Sequence, residues 1–285
     1  MARPRSKWSP CAVLKQRLVT ALILVSLTVW AMLSFPTGII AWLLALVMAI
    51  GAWEWAGLIQ LRDLGARLCY VVAVLLLLWG SYSLPLAGVA GVGVIWWGVC
   101  TILLVRWAHK RPASSSLLSK LVPGMIVGVL VLVPAWRAVT GLHELPVVGP
   151  RMVLLLFILV WLADSAAYLV GRRFGRACLA PALSPGKTRE GVYGALGASL
   201  LFSLVGGEVL ALSGLAWWGF IGLVLLTLLA SIAGDLLESL FKRLSAVKDS
   251  GSLLPGHGGM LDRFDSLTAA APVFALGVWW LEQLQ

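Results

Sequence analysis

The chain of 285 residues is strongly apolar and carries few charges. Hydrophobic residues make up 60% of it, charged residues make up 12%, and the mean hydropathy is +0.96, whereas soluble domains contain about 25% charged residues. These values exclude an ordinary water-soluble domain. The continuous apolar runs also argue against a β-barrel, whose strands alternate in polarity. The sequence therefore predicts an all-α, polytopic bundle of transmembrane helices.

The formal net charge of +10 does not indicate nucleic-acid binding. Basic residues lie in short tracts between apolar runs, where membrane topology alone requires them. The four cysteines, Cys11, Cys69, Cys100 and Cys178, are scattered without CxxC spacing, and the chain has only three histidines. The sequence therefore encodes neither a disulfide framework nor a zinc site.

About nine apolar segments are long enough to cross about 30 Å of hydrocarbon. The first follows a basic tail, 1–17, but is longer than a signal-peptide core and lacks a small-x-small cleavage site, so we expect an uncleaved span. Pro85 and the glycines after it leave the division between the third and fourth segments ambiguous. The predicted spans are 18–35, 38–60, 67–84, 86–107, 121–141, 151–171, 191–213, 216–241 and 266–283.

Basic residues occur in alternate connections, which predicts their topology. Cytoplasmic connections collect Lys and Arg, and here these residues lie in the N-terminal tail and in every second loop. We therefore expect a cytoplasmic N-terminus and two polar cytoplasmic loops, 172–190 and 242–265. The expected organisation is the cytoplasmic tail, an N-terminal transmembrane region over 18–141 and a catalytic transmembrane region over 142–285.

Ionisable residues inside apolar spans are costly, so each is a functional candidate. The candidates are Glu54, Arg137, Asp164, Glu208, Asp235 and Glu238. Glu54 lies between two tryptophans, which favours a place at the membrane interface. Arg137 and Glu208 lie near the outer ends of their spans, where a structural role is expected. Asp164 and Asp235 lead into polar loops, which indicates function.

Asp235 opens a polar stripe along one helix face. Asp235, Glu238, Ser239 and Lys242 stand at i, i+3, i+4 and i+7, and this spacing places their side chains together. An ion-pair strip that only aligns helices would show the same pattern.

The segment that follows combines glycines, carboxylates and bases. Glycines let backbone N–H groups approach phosphate, and Asp262 and Asp265 begin the next helix. Carboxylates beside phosphates indicate Mg²⁺, and nearby bases would neutralise the phosphates. His257 is a candidate general base, a hydrogen-bond donor to phosphate, or a turn residue. The bases are Lys242, Arg243, Lys248 and Arg263.

A second polar segment runs from Ser184 to Gly191. Its Gly-Lys-Thr resembles the end of a P-loop, but Pro181 stands where that motif requires Gly and we predict no preceding strand, which excludes a kinase of that type. Thr188 or Ser184 with Glu190 can cap the following helix. Lys187 and Arg189 are available for phosphate.

These motifs resemble the phosphatidate cytidylyltransferases, also called CDP-diacylglycerol synthases. The signature of that family is Ser, any residue, an apolar residue, Lys-Arg, four residues, Lys-Asp, a short loop, His-Gly-Gly, an apolar residue, any residue, Asp-Arg, an apolar residue and Asp. Ser239 through Asp265 fits every position. Resemblance extends to Gly234-Asp235, to Asp164 through Tyr168 with Gly171-Arg172, and to Ser184 through Gly191. Two departures are Gly186, where family members have Lys, and Arg189, where they have Trp.

The resemblance implies a Mg²⁺-dependent homodimer in the bacterial inner membrane, with its active site facing the cytosol and with a second, monovalent cation such as K⁺ beside the Mg²⁺. Its substrates would be CTP and phosphatidic acid, with the acyl chains in the bilayer. Asp235 and Asp262 are the implied metal ligands. The implied catalytic residues are Asp235, Asp262, Lys248, Asp249, Asp265 and His257. The implied substrate-binding residues are Ser184, Lys187, Arg189, Ser239, Lys242, Arg243, Gly258, Gly259, Arg263 and Asp164.

Two other functions compete with this one. A cation-coupled transporter could use Asp164, Asp235 and Glu238 at broken helices, but it predicts paired halves, whereas these polar residues cluster in one half. A CTP-dependent transferase or kinase acting on another lipid shares most of the chemistry, and the signature argues against it.

Overall fold

The computed structural model describes residues 25–109, 120–210, 212–251, 253 and 258–282. Nine helices lie within these ranges, and eight of them are long and apolar enough to cross a membrane. The helices are α1 Val25–Ser34, α2 Thr37–Leu58, α3 Leu64–Tyr82, α4 Leu86–Trp107, α5 Leu121–His143, α6 Gly149–Phe174, α7 Arg189–Val209, α8 Gly214–Leu244 and α9 Leu261–Glu282. The predicted helical bundle is therefore confirmed.

The helix boundaries follow the predicted spans closely. The uncertain division between the third and fourth spans falls before Pro85, which is the residue preceding α4. Only the end of the first predicted span is described, as α1, and 18–24 lie outside the described residues. The last helix begins at Leu261 rather than at 266, so Asp262 and Asp265 belong to its first turns.

The segment 172–190, predicted as a loop, contains a small antiparallel hairpin. Its strands are β1 Cys178–Ala180 and β2 Ser184–Thr188. The prediction that no strand precedes Gly-Lys-Thr is therefore wrong, because these strands are too short to give a periodic signal. Thr188 accepts a hydrogen bond from the Gly191 N–H at 3.1 Å and caps α7 as predicted. The predicted cap partner, Glu190, instead accepts from the backbone N–H groups of Arg176 and Ala177.

Helices α8 and α9 approach each other closely beside the polar stripe. A Cβ atom added to Gly234 would lie 2.5 Å from the carbonyl oxygen of Asp265, so a larger residue would push the two helices apart. Fully buried aromatic side chains fill the core of the bundle, among them Trp55, Phe241 and Phe274. The contact therefore fixes Asp235 and Asp265 on facing helices.

The two charges predicted to be structural differ in their environments. Arg137 is buried, with 7% of its surface exposed. Its guanidinium forms an ion pair with Glu144 at 3.2 Å and donates to the Leu84 carbonyl at 3.4 Å. A buried charge needs such partners. Glu208 is exposed.

Two glycines provide a matched test of this packing. A Cβ atom at Gly128 would lie 2.5 Å from Trp55 Cδ1, whereas a Cβ atom at Gly98 would meet nothing within 4 Å. Gly128→Ala should therefore destabilise the protein by about 1–3 kcal/mol through overpacking of α5 against α2. Gly98→Ala should be neutral or slightly stabilising, since alanine favours helix. Thermal unfolding in detergent measures both, and equal stability of the two variants would contradict this packing.

Candidate active site

An open cleft of about 860 Å³ lies between α6, α8, α9 and the hairpin. Its walls are polar near the hairpin and the loop between α8 and α9, and they are apolar further along α6 and α8. The acidic lining residues are Asp164, Asp235, Asp249, Asp262 and Asp265, and the basic ones are Arg172, Lys187, Lys242 and Arg263. Carboxylates and bases from distant parts of the sequence therefore share one cavity.

The hairpin is linked to α8 by an ion pair between Lys187 and Asp235. The other oxygen of Asp235 accepts a long hydrogen bond of 3.5 Å from the Ser239 hydroxyl, one helical turn further on. Arg243, in the last turn of α8, donates to the Leu183 carbonyl in the turn of the hairpin at 3.2 Å. These contacts hold the Lys187 ammonium group in the wall of the cleft.

Lys242 joins α8 to α9. Its ammonium nitrogen lies 2.7 Å from Asp262 Oδ1 and 3.3 Å from Glu238 Oε2. Glu238 is 2% exposed, so its carboxylate lies behind the cleft and not among the residues that line it. The predicted polar stripe is confirmed, since Ser239 contacts Asp235 and Lys242 contacts Glu238.

The second oxygen of Asp262 is held by the loop that precedes α9. It accepts hydrogen bonds from the Gly259 N–H at 2.8 Å, the Ser250 N–H at 3.0 Å and the Ser250 hydroxyl at 3.1 Å. Gly258 adopts a φ of +81°, and a Cβ atom there would lie 2.7 Å from Asp262 Oδ2. Glycine at this position lets the loop fold over the carboxylate.

Glu54 was expected at the membrane interface, and the structure corrects this. It is 5% exposed, and it accepts hydrogen bonds from Ser250, Met260 and Leu261. Its charge within an apolar span made it a functional candidate, but its position between two tryptophans favoured the membrane interface. With Trp53 and Arg67, Glu54 also lines a second cavity of about 540 Å³.

The structure brings only part of the predicted site together. Asp164, Asp235, Asp249, Asp262, Asp265, Lys187, Lys242 and Arg263 line the cleft. Gly258 and Gly259 flank Asp262, Ser239 lies under Asp235, and Arg243 anchors the hairpin. Lys248 and Arg189 are exposed, Ser184 pairs with Ala180 in the hairpin, and none of these three lines the cleft. His257 lies outside the described residues.

Tyr168 and Arg172 are cleft residues that the list of predicted site residues omitted. Both line the cavity, and the Arg172 guanidinium donates to the Tyr168 hydroxyl at 2.9 Å. Their spacing of four residues on α6 continues the face that carries Asp164. That periodicity could have identified them from the sequence.

The carboxylates of the cleft suit a hard cation that also binds substrate. Within the ranges that the structure describes, no three His, Cys, Asp or Glu side chains form a group that could hold a metal ion. Mg²⁺ commonly takes only one or two protein carboxylates and completes its coordination with water and phosphate oxygens. Asp235 and Asp262 each carry a carboxylate that is paired with a lysine in the same cleft. The donor chemistry therefore fits a metal that arrives with a phosphate ligand.

The profile described as the cytidylyltransferase family matches residues 15–281. The chain belongs to the cytidylyltransferase family. It is accordingly a nucleotidyltransferase, which removes the transporter alternative. The match includes the helices of the N-terminal half, where the sequence motifs gave no specific resemblance.

Members of the cytidylyltransferase family from several bacteria are similar along nearly the whole chain. A protein of Pseudomonas aeruginosa is 40% identical over 278 residues, covering 94% of this chain and 97% of the relative. One of Haemophilus influenzae is 37% identical, covering 92% and 98%. One of Brucella suis is 32% identical, covering 92% of both. All three are named phosphatidate cytidylyltransferase.

The two lysine-paired aspartates should matter most for cytidylyl transfer. Asp235→Asn and Asp262→Asn keep the side-chain size and remove a cleft charge, so each should lower kcat by about 10²-fold or more. Glu238→Gln should cost less, because Glu238 is buried behind the cleft and forms an ion pair with Lys242. Steady-state kinetics of the three folded variants measure the ranking. Near-normal turnover of both Asn variants beside an inactive Glu238→Gln variant would contradict these roles.

Proposed function

We propose that this protein transfers the cytidylyl group of CTP to phosphatidic acid. A phosphate oxygen of the lipid forms a bond to the α-phosphorus of CTP, the bond between the α-phosphorus and the bridging oxygen breaks, and pyrophosphate leaves. The products are CDP-diacylglycerol and pyrophosphate. The observation that carries this proposal is the cleft itself, in which lysines and carboxylates meet at one end and apolar side chains continue along the helices.

The two ends of the cleft suit the two parts of an amphiphilic substrate. Trp161, Leu228 and Ile232 supply apolar wall, and Lys187 and Lys242 supply positive charge. A lipid phosphate can keep its acyl chains among apolar groups while its headgroup reaches the bases. A soluble phosphate acceptor would have no use for the apolar wall, so this division favours a lipid acceptor.

The reaction needs positioning and charge neutralisation more than a strong base. The second pKa of a phosphate monoester is near 6, so the attacking oxygen is already anionic near neutral pH. Lys187 and Lys242 can exchange their carboxylate partners for phosphate oxygens and so reduce the repulsion between the two anionic substrates. Positioning and electrostatics of this kind dominate catalysis of phosphoryl transfer.

Asp235 and Asp262 would hold the Mg²⁺ ion. Bound there, it would supply countercharge for the triphosphate and for the pyrophosphate leaving group. A second, monovalent cation such as K⁺ belongs to the same proposal. The site would face the cytosol, where CTP is available, in a homodimer of the bacterial inner membrane.

A direct assay tests the reaction. Purified protein supplied with labelled CTP, Mg²⁺ and phosphatidic acid should form a lipid-soluble cytidine nucleotide and release pyrophosphate. Diacylglycerol, which lacks the phosphate, should yield no product, and a chelator should abolish turnover. Equal product from another lipid acceptor, or none from phosphatidic acid, would contradict the proposed substrate. Full turnover in excess chelator would contradict the metal assignment.

Cysteine labelling tests the proposed topology. Gly186, in the hairpin, has open space around it, and Val147, between α5 and α6, is 90% exposed. In a background without the native cysteines, Gly186→Cys should react with a membrane-impermeant reagent only from the cytosolic side. Val147→Cys should react only from the opposite side. The reverse pattern would overturn the topology.

A further inference from the structure

Glu54 is a buried carboxylate that contacts the catalytic segment from the other half of the chain. It lies on α2, 196 residues before Ser250 and 207 residues before Leu261. Its side chain lies beside the start of α9, although the carboxylates of the cleft belong to α6, α8, α9 and the loop between α8 and α9. The family signature, Ser239 through Asp265, lies in the C-terminal half and does not include Glu54.

The carboxylate of Glu54 binds the backbone where α9 begins. Oε1 accepts from the Met260 N–H at 2.9 Å, and Oε2 accepts from the Leu261 N–H at 2.7 Å. Leu261 is the first residue of α9, and the first N–H groups of a helix have no partner within the helix. A carboxylate at this end also interacts favourably with the helix dipole. Glu54 therefore caps α9 from a different helix.

The Ser250 hydroxyl connects Glu54 to Asp262. It lies 3.0 Å from Glu54 Oε2 and 3.1 Å from Asp262 Oδ2. A hydroxyl has one proton to donate, so it can donate to only one of these carboxylates at a time. Because the Ser250 N–H also binds Asp262, a shift of the loop at Glu54 is transmitted to the Asp262 side chain.

The loop backbone closes around Glu54 only because two positions are glycine. A Cβ atom at Gly251 would lie 2.5 Å from Glu54 Oε1, and one at Gly259 would lie 2.6 Å from Glu54 Oε2. A side chain at either position would displace the loop or the carboxylate. The close fit indicates that the loop is shaped around the Glu54 carboxylate, which packing between helices alone would not require.

We infer that Glu54 is a positioning residue, which holds the start of α9 and, through Ser250, fixes the carboxylate of Asp262 in the cleft. This inference rests on the proposed function, since it assigns Glu54 to the site that would bind Mg²⁺ and CTP. Residues that orient a metal ligand typically account for about 10- to 100-fold in metal affinity or activity.

Glu54→Gln tests the inference with little change of shape. The amide nitrogen cannot accept a hydrogen bond, so the variant has one side-chain acceptor atom where Glu54 has two. The concentration of Mg²⁺ for half-maximal activity should rise by about 10-fold or more, and kcat should fall by about 10- to 100-fold. Without Mg²⁺ or substrate, amide hydrogen exchange of 258–262 should accelerate, while exchange of α5 stays unchanged. Glu208→Gln, an exposed acid outside the site, is the matched control.

Ser250→Ala provides the second variant. It keeps Glu54 and the backbone hydrogen bonds and removes only the connecting hydroxyl, so it should shift the Mg²⁺ dependence in the same direction by less.

A merely structural Glu54 would lower the yield of folded enzyme and leave the Mg²⁺ dependence and local exchange of the folded fraction unchanged. That result, or wild-type Mg²⁺ dependence of Ser250→Ala if Glu54→Gln does not fold, overturns the inference. An inactive wild type would instead refute the proposed function, and the exchange measurement would still decide the role of Glu54.

Discussion

The pairing of carboxylates with lysines at the ends of apolar helices is the interaction on which the site depends. Charged groups near a membrane interior are stabilised only by partners, and here Lys187 and Lys242 each contact an aspartate on a different element. These pairs join the hairpin to α8 and α8 to α9. Phosphates and a cation would require the same groups, so the contacts that hold the site together also prepare it for ligands.

This arrangement requires close backbone approach as well as charge. Gly234 lets α8 approach the Asp265 carbonyl, and Gly258 lets the loop cover Asp262. The N-terminal helices contribute through Glu54, which caps α9 next to these aspartates. The cleft therefore depends on both halves of the chain, although its lining residues come from the C-terminal half.

Much of the fold and part of the site could be predicted from the sequence, because bilayer thickness and the helical repeat govern both. Eight helices follow apolar segments, and the spacing of Asp235, Glu238 and Lys242 predicted their common face. The hairpin was missed because its strands are too short to show a period. Glu54 was misplaced because its partners lie some 200 residues away in sequence, and local pattern carries no information about such contacts.

We propose that the phosphates of CTP bind in the cleft beside Lys187 and Lys242. Determining the structure with a nonhydrolysable CTP analogue and Mg²⁺ tests it most directly. We predict that the triphosphate lies between α6, α8 and α9, with Lys187 released from Asp235 to contact a phosphate oxygen. A triphosphate bound outside the cleft, for example in the second cavity beside Arg67, with the Lys187–Asp235 pair intact, would contradict this account.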